Sequence, residues 1–291
     1  MVKYKMLRDS VCQLPNLDLL EAPAASDSEI LLAHDPSYLQ RVLSGKLSES
    51  EQKEIGFPWS VKMVERSRRS AGATIAACRV ALEEGVSVNL AGGTHHAYRN
   101  KGSGFCVFND AAIAARAVQK DQRAHAVGIK KIGILDLDVH QGDGTAAILE
   151  NDSGVITVSI HGEKNYPFAK AKSDLDIALS DDAGDLVYLA ALERALDYLG
   201  AQDIHFLIYL AGADPFEDDR LGRLRITQEG MAFRDQRVFE FASAQGIPIA
   251  LAMAGGYANP IEKTVLIHHQ TITLALLHQH TIAASLSKHY S

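Results

Sequence analysis

The chain predicts an α/β fold: a single domain with a central, mostly parallel sheet flanked by helices. Three observations carry that expectation. Short β-branched or apolar runs alternate with longer helical patterns in the order strand, polar loop, helix. The strand 131–137 opens on Lys131 beside Lys130 and carries an apolar run from Ile132 to Leu135, as a strand covered on both faces does. The predicted strands end in polar or glycine-rich loops, and open α/β sheets collect binding and catalytic residues at strand carboxyl ends. No Pro/Gly/Ser-rich linker divides the 291 residues, so one domain over 1–291 is expected.

Taken in order, residues 1–60 mix short helical pieces (10–16, 21–28) with loops and a helix over 36–44. Residues 61–84 form an alanine-rich and charged helix that Gly85 closes as a C-cap. A strand over 86–90 runs into Ala91-Gly92-Gly93-Thr94-His95-His96. A helix over 109–122 precedes the strand 131–137. The strand 155–160 ends at His161-Gly162, and 185–199 reads as an amphipathic helix. The strand 205–210 leads into Ala211-Gly212-Ala213-Asp214-Pro215. Thr227 caps a helix to about 244, and the strand 247–253 ends in Ala254-Gly255-Gly256-Tyr257. A last helix begins near Pro260.

Composition excludes several functions. Hydrophobic residues make up 47% and charged residues 22%, ordinary values for a water-soluble domain. The net charge of −7 lacks the basic stripe of a nucleic-acid binder. Three cysteines (Cys12, Cys78, Cys106) without a CxxC pair fit reduced thiols in the cytoplasm. The amino terminus has no signal-peptide core, and no window approaches the roughly 18 apolar residues of a membrane span. Oligomeric state is left open.

The segment Ile134-Leu135-Asp136-Leu137-Asp138-Val139-His140-Gln141-Gly142-Asp143-Gly144 carries the most chemistry. Strand alternation lets Asp136, Asp138 and His140 share a face. A carboxylate and an imidazole two residues apart make half of a divalent metal site. Five strand ends (91–96, 136–143, 159–162, 211–214, 254–257) together offer Asp138, His140 and Asp214 as ligands, His95 and His96 as acid/base groups, and Tyr257 as a donor. Taken alone, Asp136 and Asp138 read as turn formers, the commonest fate of such residues after a strand.

The segments Gly92-Gly93-Thr94-His95-His96, Gly104-Phe105-Cys106, Asp136 to Gly144, Ala211-Gly212-Ala213-Asp214 and Gly255-Gly256-Tyr257 resemble the zinc-dependent histone deacetylase family. That family also contains acetoin-utilisation proteins and acetylpolyamine amidohydrolases. Asp218 to Leu224 and Gly104 to Asp110 look nearest to the class IV branch and its bacterial relatives. The resemblance covers about 60–260. It implies an arginase/deacetylase-like sheet of about eight strands, with the opening edge strand missing before Met1-Val2-Lys3-Tyr4.

The resemblance also implies roles. Asp138, His140 and Asp214 would hold Zn2+, with Fe2+ or Co2+ fitting the oxygen-rich set as well. Such an ion polarises an amide carbonyl and activates water. His96 is the expected general base and then acid, and His95 an electrostatic partner. Asp136 would orient His95, and Asp143 would orient His96. Tyr257 would donate to the developing oxyanion, and Gly255 and Gly256 would let it swing against the substrate. A structural K+ would sit on Asp136, the carbonyls of Asp138, His140 and Ile160, and Ser159. Phe105 and Tyr166 would wall an acyl-lysine tunnel, Gly104 would accept the amide N–H, and Leu221 stands where polyamine-selective relatives carry an acidic gatekeeper. The loop 50–59 is the region for a rim residue that grips substrate.

The function implied is removal of acetyl or longer acyl groups from acyl-lysine or a small acylated amine, with no nucleic-acid or membrane partner. The competing readings are acetylpolyamine hydrolysis, a catalytically silent acyl-lysine binding module, and two-metal ureohydrolysis, which needs aspartates the loops lack. Cys106 reads as a buried thiol, Arg66 to Arg69 as a solvated helix face, and His268, His269, His278 and His280 as a solvated helical face.

Overall fold

Strand β2 (Ile132–Asp136) is buried along its whole length because helices cover both faces of the sheet. The computed structural model describes residues 2–289, with side chains to residue 284. Around β2 lie β1 (Val86–Asn89), β3 (Val155–Gly162), β4 (Leu175–Leu179), β5 (Phe206–Leu210) and β6 (Ile249–Ala252). The sheet order is β1-β6-β5-β2-β3-β4, and every pairing is parallel.

Alternation along each strand feeds two cores. Leu207 and Tyr209 of β5 face one layer, whereas Phe206, Ile208 and Leu210 face the other. The first layer contains α1 (Val2–Val11), α9 (Asp185–Ala201), α10 (Gln228–Gln245) and α11 (Ile261–His289), with Leu192, Leu196, Val238 and Phe239 buried against the sheet. The second contains α2 (Asp27–Ile30), α3 (Pro36–Ser44), α4 (Glu49–Ile55), α5 (Val61–Glu84), α6 (Asp110–Lys120), α7 (Gln122–Ala126) and α8 (Asp143–Leu149). Buried alanines on α5 (Ala71, Ala77, Ala81) and α6 (Ala111, Ala112, Ala114, Ala115) let these two helices approach closely. Helix ends follow their signals: Ser60 caps α5 through Met63 N–H, Gly85 terminates it at φ +85°, and Thr227 caps α10 through Gly230 N–H.

Two expectations need correction. The resemblance implied about eight strands, but six form among the described residues. The start of the chain, read as loop with short helical pieces, is the helix α1, whose Leu7 and Val11 pack into the core beside α11. The strand β4 lies at a sheet edge with only Ile177 and Leu179 buried, so its pattern lacks the apolar run that marked the others.

One buried histidine links this packing to pH. His34 sits against the rings of Tyr38 and Phe108, and its Nε2 accepts the Asn109 N–H at 2.9 Å. Burial pulls its pKa down to about 4. Below about pH 6.5 the unfolded chain takes up this proton first, so the contribution is full above that value and is lost as pH falls toward 4. The expected size is about 3 kcal/mol. Urea unfolding at pH 7 and pH 4 should show His34→Gln losing about that much less than the native protein. Equal losses in the two proteins would refute the assignment.

Candidate active site

The strand order places β2 beside β5, with β3 continuing the sheet on one side and β6 on the other. Chains leaving the carboxyl ends of β2 and β5 therefore diverge and open a crevice at the switch point. Asp138 and His140 follow β2, and Asp214 follows β5. The strand stops at Asp136, so alternation does not by itself align the ligands. An Asx-type turn does so: Asp138 Oδ1 accepts the His140 N–H at 2.9 Å. Val139 N–H donates to Asp214 Oδ1 at 2.8 Å, and Gly255 N–H donates to Asp138 Oδ2 at 2.7 Å.

The three residues bring one ligand atom each within 4.8 Å of one another. Asp214 Oδ2 is buried and makes no hydrogen bond among the described residues, with His140 Nδ1 3.4 Å away. Burial and the neighbouring charge of Asp138 raise the Asp214 pKa to about 7. Two buried carboxylates with a spare lone pair and an imidazole are a costly cluster unless a cation joins them. The donor set thus fits a divalent ion. Glycine is required at 255, where a Cβ would stand 1.8 Å from Asp214 Oδ2 and 2.6 Å from Asp138 Oδ2.

Opposite these ligands lie two histidine–aspartate pairs. His95 Nδ1 is 2.7 Å from Asp136 Oδ2, and His96 Nδ1 is 2.6 Å from Asp143 Oδ1. The two rings are 4.2 Å apart between centroids, and all four residues are buried. Their pKa values move in opposite directions. Burial opposes protonation of His95, but Asp136 and Asp138 outweigh it and raise its pKa to about 9. For His96, burial and then the positive His95 dominate over Asp143 and lower the pKa to about 4. These opposite directions make His96 the readier proton acceptor of the two rings.

Residues missed by sequence reasoning hold this loop. The fully buried Asp110 carboxylate accepts from Gly93 N–H (3.0 Å), Thr94 N–H (2.7 Å), Thr94 Oγ1 (2.8 Å) and Thr74 Oγ1 (2.6 Å). Asn109 Nδ2 donates to the carbonyls of His95 and Ala97. Tyr98 gives its hydroxyl to the second oxygen of Asp143 at 2.8 Å. The available signal was Asn-Asp opening an otherwise apolar helix.

Tyr257 is about one-third exposed and faces the same crevice. Asp219 accepts its N–H at 2.5 Å, and Arg220 Nε donates to its carbonyl at 3.0 Å. Beneath it lies Lys3, a buried lysine on α1. Its Nζ donates to the Gly256 carbonyl at 3.2 Å and sits 4.7 Å from the Tyr257 ring centroid. The resemblance placed Met1-Val2-Lys3-Tyr4 at the start of the family segment but assigned Lys3 no role. His268 also needs correction: it is buried with both ring nitrogens unpaired among the described residues, rather than on a solvated face. A Cβ at Gly256 would lie 3.6 Å from its Nε2, so the ring packs directly beneath that glycine. His280 is exposed as expected, whereas His278 stacks on Phe239.

Phe105, Arg220, Leu221 and Tyr257 line a mouth of about 360 Å³. Gly104 and Phe105 adopt positive φ (51° and 65°), and their N–H groups donate to the carbonyls of Glu54 and Ile55 on α4. The segment 50–59 therefore buttresses Phe105, and Phe57 stacks on that ring at 6.4 Å. Tyr166 stands edge-on to His96 at 4.9 Å and shares a 2.5 Å contact with the Ser103 hydroxyl. Cys106 is buried with its thiol pKa pushed up by burial, as an inert thiol should be. Asp136 and Ser159 are register partners across β2 and β3, with the Ser159 hydroxyl 3.0 Å from His161 Nδ1. The Arg66 to Arg69 helix face is tied into the surface: Arg68 pairs with Asp27, and Arg69 with Glu21 and Glu65.

Fold and site together define an α/β protein whose buried carboxylate–imidazole cluster lies at the carboxyl edge of a parallel sheet. The chain belongs to the histone deacetylase family, since the histone deacetylase domain profile matches residues 2–272. It is similar to an uncharacterized protein of Picosynechococcus, 41% identical over 264 residues that span 90% of this chain and 86% of that one. It is 27% identical to a histone deacetylase-like amidohydrolase of Pseudomonas aeruginosa, over 88% of this chain and 70% of that one. A histone deacetylase homologue solved in complex with SAHA shares the fold, with a TM-score of 0.79 at 21% identity over 98% of this chain and 82% of that one. The protein is accordingly a hydrolase acting on amide bonds. No helix among the described residues is long and apolar enough to cross a membrane.

Proposed function

We propose that the protein removes acetyl or longer acyl groups from an acylated lysine or a related acylated amine. The observation that carries this reading is the convergence of Asp138, His140 and Asp214 opposite two histidine–aspartate pairs, with Tyr257 across the mouth. A divalent ion held by that triad, zinc or iron(II), would supply Lewis acidity toward the acyl carbonyl. The protein's own groups do the rest. Neutral His96 accepts the proton of the attacking water and returns it to the leaving amine. His95, hydrogen-bonded to Asp136, would serve electrostatically beside the reacting centre. The Tyr257 hydroxyl donates to the developing oxyanion. Phe105 and Tyr166 would hold the acyl-lysine stem, and the Gly104 carbonyl would take its amide N–H. Potassium bound by Asp136, Ser159 and the carbonyls of Asp138, His140 and Ile160 would brace the loop.

Leu221 at the mouth offers a polyamine no carboxylate, which favours lysine-type substrates over acetylpolyamines. A silent binding module would have no use for two oriented histidine–aspartate pairs. The free cysteines and acidic balance fit a cytoplasmic setting. Protein loaded with zinc or iron(II) should release acyl groups from a fluorogenic acyl-lysine peptide, and a hydroxamate should block the release. Absence of turnover on every acyl-lysine and acyl-amine tried would overturn this reading.

A further inference from the structure

The charges around the mouth are unevenly used. Arg220 is exposed and lines the mouth beside Phe105, Leu221 and Tyr257. Its Nε is committed to the Tyr257 carbonyl, which fixes the guanidinium at the lip. No carboxylate pairs with it among the described residues. The nearby acids are occupied: Asp218 pairs with Lys263, and Asp219 accepts the N–H groups of Tyr257, Leu221 and Gly222. Behind Phe105, Glu54 pairs with Lys101. Glu217 does not line the mouth. Among the described residues that line the lip, Arg220 is the one cation, oriented and without a carboxylate partner, over apolar walls.

We propose that Arg220 is a specificity-determining residue that selects acylated amines carrying a carboxylate at the mouth, at the far end of the stem from the scissile amide, and disfavours polycationic ones. This rests on the amide-hydrolase reading above and names its substrate class. Two sources offer the same chemistry: an acyl-lysine flanked by acidic residues, or a small acylated amine such as an Nε-acyl amino acid with its own carboxylate. A guanidinium held in place meets a carboxylate with little further loss of side-chain freedom.

The test compares acetyl-lysine peptides with neutral, aspartate or lysine flanks on the zinc-loaded protein at low salt. We expect kcat/KM for the acidic peptide to exceed that for the basic one by about fivefold, mainly through KM, the scale of an exposed ion pair. The ratio should fall toward one at high salt and in Arg220→Gln, invert in Arg220→Glu, and survive in Arg220→Lys. Ratios within one variant cancel any shift of Tyr257, because both peptides meet the same tyrosine. Nε-Acetyl-lysine compared with its carboxamide identifies the small-molecule source. Fluorescence-polarisation binding of the same peptides reads the preference even where nothing is hydrolysed. Turnover or binding with no acidic preference, or the same preference in Arg220→Gln, overturns the role of Arg220 alone. Binding with the preference but no turnover of any peptide supports Arg220 and overturns the hydrolase reading. Failure to bind any peptide overturns both.

Discussion

Asp214→Asn is expected to lower hydrolysis by about a thousandfold or more, the scale of a lost metal contribution to transition-state charge. It should also erase the thermal stabilisation that added zinc gives the native protein. The native carboxylate is buried, with one oxygen taken by Val139 N–H and the other making no hydrogen bond among the described residues, 3.4 Å from His140 Nδ1. Asparagine preserves the shape and the Val139 contact but removes the charge that holds a cation. Because an ion that binds only the folded state stabilises by mass action, saturating the native protein a thousandfold above Kd should add about 4 kcal/mol. The neutral amide has no such hold on the ion, so the variant's melting curve should not move with zinc. The metal-free variant should melt no earlier than the metal-free native protein, since the substitution relieves a carboxylate that burial and Asp138 oppose. Melting curves with and without chelator, alongside turnover, separate these effects. A zinc-dependent shift equal to that of the native protein would remove Asp214 from the ligand set.

Tyr257→Phe should reduce kcat by about a hundredfold or more while KM barely moves, as expected when one oxyanion donor is lost. The backbone around Tyr257 is held by Asp219 and Arg220, and its ring lies over Lys3, so phenylalanine should occupy the same place. Only the hydroxyl disappears. Steady-state kinetics should then show kcat and kcat/KM falling together. A variant that weakened KM and left kcat intact would make Tyr257 a binding group instead.

Much of this candidate site was legible because its residues sit where apolar strands stop. Asp138, His140, Asp214 and Tyr257 each follow a β-branched or apolar run, the family resemblance supplied their expected roles, and parallel topology brings those ends together. Lys3 and His268 were not legible, for a physical reason. Periodicity reports the average face of a helix, and both residues lie on helices with mixed polar patterns whose buried members are decided by packing against the Gly255-Gly256 turn. Asp110 was hidden differently: its carboxylate serves backbone N–H groups of another loop, a partnership that leaves no spacing signal. The strand β4 and helix α1 escaped because an edge strand and a terminal helix bury too few side chains to impose a strong pattern.

The candidate ligand carboxylates are themselves rivets of the backbone: Asp214 clasps Val139, and Asp138 clasps His140 and Gly255. Three separate stretches of chain are therefore laced to one another before any cation arrives. Stripping the ion should leave an empty but standing mould, one that recharges as quickly as the ion can diffuse in and shed its water.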